Sequence, residues 1–146
     1  MSGLSREPCF YRAKTHHVNT PTSIDVMVDI RFGIFTLVEI KLKGVDLSFV
    51  NRDDENSQKL IDQAKYCLII LLGGKNILVE VEDDSKRKTK GIILLKSPCP
   101  LPECRVEYQG DEYVNVNRYM DYLNKGGFSP ESVKNHFHKR KLTEVS

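Results

Sequence analysis

Residues 23–30 read Ser-Ile-Asp-Val-Met-Val-Asp-Ile, with an apolar residue at every second position. Successive side chains of an extended chain point to opposite faces. Ile24, Val26, Val28 and Ile30 are therefore expected on one face, with Asp25 and Asp29 on the other. This pattern suits one strand of a half-buried sheet, not a helix with an apolar stripe. Gly33 interrupts the alternation before a second extended run, 34–43, as a hairpin requires. A strand over 9–18 ahead of both completes a three-stranded meander.

The period then changes. Asp53 or Asp54 suits the N-cap of a helix whose apolar residues Leu60, Ala64, Leu68, Leu71 and Leu72 recur at spacings of three and four. Gly73-Gly74 predicts a left-handed stop. Alternation returns at Ile77, Val79 and Val81, followed by a charged loop at 83–88 and an apolar strand over 91–96. Pro98, Pro100 and Pro102 remove ladder donors and keep 97–102 out of a central strand. A strand over 105–108, a Gln109-Gly110-Asp111 turn and a helix behind Asn117 follow. That helix carries Tyr119, Met120 and Leu123 on one side and closes at Gly126-Gly127. Ser129-Pro130-Glu131 is a suitable start for a last helix, with Val133 and Phe137 four apart and a basic tail at 139–141.

A meander, a helix and further strands predict an α+β, mainly-β fold. The expected architecture is an OB-type barrel of five to six strands with two or three helices. The chain divides into an extension (1–8), the barrel (9–128) and a short helix with a basic tail (129–146).

With 146 residues the chain is long enough to bury one core. Its 22 basic residues nearly balance 20 acidic ones, so any cationic surface must be local. The longest apolar run, 67–72, is too short to span a bilayer, and the polar start lacks a signal-peptide core. The expected setting is intracellular, cytoplasmic and off the membrane, with cysteines reduced. Cys99 and Cys104 leave open a small disulfide or half of a metal site. His16-His17 lie on opposite strand faces and His136 and His138 are two apart, so both pairs are expected as surface residues.

Several segments occur in an order similar to that of the staphylococcal-nuclease-like (thermonuclease) domains. Residues 18–46, Val-Asn-Thr-Pro-Thr-Ser through Lys-Gly-Val-Asp, resemble the family's strand, turn, strand and corner. Residues 56–72 with the following Gly-Gly-Lys-Asn-Ile-Leu-Val resemble its first helix and next strand. Lys88-Thr89-Lys90-Gly91-Ile92 resembles the element bearing its second arginine, and Tyr113-Val114-Asn115-Val116-Asn117 its Val-Asn helix start. The resemblance covers about 9–127, with the proline-cysteine segment as an insertion.

The resemblance implies metal-assisted phosphodiester cleavage only where its acids, base and arginines persist. The metal-binding Asp of the turn corresponds to Thr22, and the corner Asp to Asp46, the only retained ligand. The proposed base falls on Phe49, and the two phosphate-gripping arginines on Lys41 and Lys90. A hard cation needs several carboxylate or carbonyl oxygens. Lysine keeps the charge of arginine but not its bidentate fork. The resemblance therefore implies a catalytically silent module, with Ca²⁺ as a cofactor only if cleavage survives as a weak metal-dependent phosphodiesterase.

Asp25, Asp29 and Glu39 read as the solvated side of the hairpin. For nucleic acid, single-stranded by preference, the expected contacts are Lys41, Lys43, Lys86, Arg87, Lys88 and Lys90, with Tyr11, Phe32, Phe35 and Phe49 as stacking aromatics. The alternative is an assembly role in which Leu47 and Phe49 make the former catalytic corner an apolar contact for a protein partner.

Overall fold

A computed structural model describes residues 10–47, 54–83 and 89–137. Seven strands form one sheet in the order β3-β2-β1-β4-β5-β7-β6: β1 (Phe10–Thr20), β2 (Ser23–Asp29), β3 (Phe35–Leu42), β4 (Asn76–Asp83), β5 (Thr89–Lys96), β6 (Arg105–Tyr108) and β7 (Asp111–Asn115). The first five close on themselves, because β3 also pairs with β5. That closing pair is parallel, while the other four joints of the ring are antiparallel. The fold is thus a closed five-stranded mixed barrel with two further strands and three helices, α+β, mainly β and OB-like.

Alternation sets the inside of the barrel. Ile24, Val26, Ile40, Val79 and Ile93 are all fully buried, each such burial stabilising by about 1.5–3 kcal/mol. Ile30 departs from the expectation. The strand ends at Asp29, and Ile30 enters the turn instead of the core, 47% exposed. At that turn Arg31 and Phe32 have φ of 96° and 55°, and Gly33 has 73°. Left-handed backbone at two non-glycine residues carries the chain through a protruding tip.

Helix α1 (Glu55–Leu72) starts at Asp54, whose carboxylate accepts from the Ser57 backbone N–H at 2.8 Å. Its buried face is Ala64, Cys67, Leu68, Leu71 and Leu72. Leu60, expected in that stripe, is 38% exposed near the helix start, and Cys67 joins the core instead. Only Gly74 is left-handed at the helix end, with φ 67°. Gly73 is needed for a different reason: a Cβ there would lie 2.7 Å from the Ile69 carbonyl.

Helix α2 (Val116–Gly126) is capped by Asn115, which accepts from the Arg118 N–H. The cap thus lies two residues before Asn117, which is inside the helix and buried. Helix α3 (Pro130–Phe137) buries Val133 and packs against α1. Tyr119 of α2 is fully buried, and its hydroxyl meets His136 Nδ1 at 2.6 Å. His136 is therefore a packing residue, not the plain surface residue expected; His138 lies outside the described residues. His16 and His17 are both exposed, at a register shift between Thr15 and His17 that places them on no simple alternation. No helix among the described residues is long and apolar enough to cross a membrane.

Candidate functional site

The closing joint of the barrel consists of two parallel pairs, Lys41 with Lys90 and Leu42 with Gly91. Paired residues share a sheet face, and adjacent strands lie ~5 Å apart. Leu42 and Gly91 face inward and are buried, so Lys41 and Lys90 face outward together, both exposed. The two positions at which the resemblance expects phosphate-gripping arginines are neighbours in space.

Close packing holds the joint. A Cβ on Gly91 would stand 2.8 Å from the Glu80 carbonyl oxygen and 3.1 Å from Ile40 Cγ2. The Asn117 side chain then spans the gap between strands. Its Oδ1 accepts from the Ile93 N–H at 3.0 Å, and its Nδ2 donates to the carbonyls of Lys43 and Gly91, both at 2.9 Å. The Lys43 N–H also donates to the Gly91 carbonyl at 2.9 Å. Sequence reading placed Asn117 at a helix start and missed this role. Its only signal there was a buried-type position occupied by an amide.

Around the lysine pair the charges are unevenly compensated. Lys41 has no ion pair among the described residues. Lys43 is bound to Glu82, whose hydrogen bond and charge raise the ammonium above its ordinary pKa. Glu82 also lies opposite Lys90 in the β4–β5 ladder. Lys86, Arg87, Lys88 and Phe49 lie outside the described residues.

Thr22 sits beside the joint, its carbonyl accepting from the Leu42 N–H at 2.8 Å. The Thr22 hydroxyl faces that of Thr20 at 3.3 Å. Asp46 is exposed, whereas Leu47, expected to help form an apolar contact patch, is 3% exposed and belongs to the core. Among the described residues, the side-chain donor set offered by this corner is one hydroxyl already engaged with another and one carboxylate. That does not fit a Ca²⁺ ion, which takes ~6–8 oxygens with several carboxylates among them.

Two further acids, on the adjoining wall of β2 and β3, are hydrogen-bonded to their neighbours. Asn19 Nδ2 donates to Asp25 Oδ1 at 2.7 Å and to Glu39 Oε2 at 3.2 Å, and Ser23 Oγ donates to the same Glu39 oxygen at 3.0 Å. Asp25 and Glu39 are directly opposed across β2 and β3. They form a bonded polar network on the barrel wall and not merely a solvated face.

Among the described residues no three His, Cys, Asp or Glu side chains are grouped to hold a metal ion. Cys67, Cys99 and Cys104 are free thiols, and Cys99 Sγ donates to the Leu101 carbonyl. No protein-family model matches this chain, and no curated protein matches it.

Proposed function

We propose that this chain is a staphylococcal-nuclease-like barrel that binds single-stranded nucleic acid without cutting it. The supporting observation is the outward-facing Lys41–Lys90 pair on the closing joint, with Lys43 one alternation away. Two adjacent ammonium groups on one sheet face suit a phosphate backbone. Lysine acts there as a point charge, without the planar fork that stabilises a phosphorane. The corner that would need a metal and a base offers Thr22 and Asp46. Contact to phosphate from a fixed sheet surface is sequence-independent, so the binding is general and salt-dependent.

A salt series with a labelled single-stranded oligonucleotide tests the reading. Wild-type protein is expected to bind at low salt, to weaken steeply as salt rises, and to leave the oligonucleotide intact with Ca²⁺ present. Lys41→Glu weakens it further. A flat response at low salt sinks the reading, and Ca²⁺-dependent cleavage abolished by Asp46→Ala would restore the enzyme.

A second reading, protein assembly, has its own support at the other end of β2 and β3. Phe32 is 96% exposed at the tip, with Ile34 and Leu37 more than half exposed beside it. Beyond the joint with β5, the 35–40 edge of β3 has no paired strand among the described residues. An unpaired, partly apolar edge is a template for strand addition. On this reading a second copy pairs with that edge, and Phe32→Asp abolishes a concentration-dependent dimer in light scattering. A monomer at every concentration rules it out.

A further inference from the structure

The β6–β7 hairpin carries Tyr108 back over the outer face of the barrel. Gln109 and Gly110, with φ of 51° and 84°, form its turn. The Tyr108 ring meets Phe10 at 4.6 Å between centroids, edge-on, and Tyr113 at 6.4 Å. Between this aromatic wall and the floor of β1, β2 and β4 lies an open groove of about 880 Å³. That is toward the upper end of the ~300–1,000 Å³ typical of ligand sites.

Arg12 and Lys14 point into it from β1, both exposed and neither with an ion pair among the described residues. The acids of the groove are already engaged. Asp29 accepts from the Arg31 N–H at 2.9 Å, and Asp111 lies 3.5 Å from Lys96 Nζ. The site therefore combines π surfaces with a small cationic excess, Arg12, Lys14 and Lys96 against Asp29 and Asp111.

From this combination we propose that the groove is a second, base-stacking site for a short single strand, with Arg12 and Lys14 on its phosphates. The ligand class rests on the nucleic-acid reading above, while the site stands on other residues. Stacking surfaces paired with cations suit single strands, because every base has a π face. A peptide adding as a strand to the groove floor is disfavoured, since β1, β2 and β4 all have neighbours on both sides; the sheet edges at β6 and at 35–40 of β3 bound the groove and do not floor it. The groove and the lysine joint are not one track. Ser23, beside the joint, and Asp29, at the groove, are separated by about 20 Å of strand at ~3.3 Å per residue. The Asp25–Glu39 acids lie between them.

The chain has no tryptophan, so its tyrosine fluorescence reports stacking directly. Titration of wild-type protein with an unlabelled oligothymidylate should quench that emission. Tyr108→Ala is expected to cost about 5- to 150-fold in affinity, the range for one stacked base, and to remove most of the quench. Arg12→Glu with Lys14→Glu leaves the hairpin intact. That variant should weaken binding at least tenfold and flatten its salt dependence. Lys41→Glu should lower total oligonucleotide binding read by anisotropy yet keep a saturable tyrosine quench that Tyr108→Ala removes, which separates failure of the groove from failure of the joint. Unchanged affinity and quench in both groove variants overturns the inference, as does binding of an acidic peptide in place of the oligonucleotide.

Discussion

Lys41 and Lys90 face the same way across the parallel joint that closes the barrel, in direct register. With Lys43 already tied to Glu82, the cations on this joint differ in what they can offer an anion. Lys41→Ala with Lys90→Ala should lower the slope of log affinity against log salt by about 1.4, since each phosphate contact to a single strand is worth ~0.7. Lys43→Ala should change the slope less than Lys41→Ala. Anisotropy titrations across a salt series distinguish these outcomes, and equal effects of Lys41→Ala and Lys43→Ala would contradict the arrangement.

The joint also sets a stability prediction. Gly91→Ala drives a methyl group into the Glu80 carbonyl and should cost about 1–3 kcal/mol, the usual range for overpacking. Asn117→Ala strands the buried Ile93 N–H and removes a donor from the Lys43 and Gly91 carbonyls, the latter still bonded to the Lys43 N–H, and a loss of ~2–3 kcal/mol is expected. Asn117→Asp keeps the acceptor for Ile93 but turns an oxygen toward the Lys43 and Gly91 carbonyls. Its folded-state carboxyl should then titrate above the ordinary value near 3.9. The deficit should shrink as pH falls toward that value and be complete at neutral pH. Urea melts at several pH values measure this.

Thr15 makes the opposite prediction. It is 4% exposed inside the barrel, and its hydroxyl has no hydrogen-bond partner among the described residues. Thr15→Val replaces that hydroxyl with a methyl of similar shape and should raise stability by ~1 kcal/mol. A lowered denaturation midpoint would show that the hydroxyl is satisfied in solution.

Burial pushes the thiols of Cys67 and Cys104 up to about 11, from an ordinary 9.0. A raised pKa means that the folded state holds the proton more tightly than the unfolded chain. The corresponding stability is present in full below pH 9.0 and is lost as pH rises toward about 11. Cys67→Ala should flatten that decline in a pH series of denaturant melts, apart from its constant cavity cost. In native protein a thiol reagent should modify half-buried Cys99 before Cys67 or Cys104, which are fully buried.

The barrel was legible in sequence because each of its devices is local. Alternation at Ile24, Val26 and Val28, the three-and-four spacing of Ala64, Leu68 and Leu71, and the prolines after Ser97 each report a backbone state within a few residues. Ile30 was misread because a period carries no information about where a strand ends, and the left-handed Arg31 and Phe32 end it early. Lys41 and Lys90 were picked out by resemblance, but their adjacency arises from a parallel pairing between segments 49 residues apart, which periodicity does not register. Asn117 was hidden for the same reason, since its partners Lys43, Gly91 and Ile93 lie 24 to 74 positions away. The aromatic groove needs a hairpin to fold back onto the first strand, and nothing in Phe10 or Tyr108 alone announces that meeting.

Among the described residues, the ring of strands is closed by a seam far shorter than any other joint in it, two pairs against five to seven elsewhere. A cylinder with one short seam has a built-in place to unzip. Amide exchange should therefore be fastest, within the barrel, along β3 and the start of β5, with protection rising around the circumference toward β1 and β4. Any ligand that bridges Lys41 and Lys90 acts as a clasp on that seam. Slower exchange at Leu42 and Lys43 would then report occupancy without a label on either molecule.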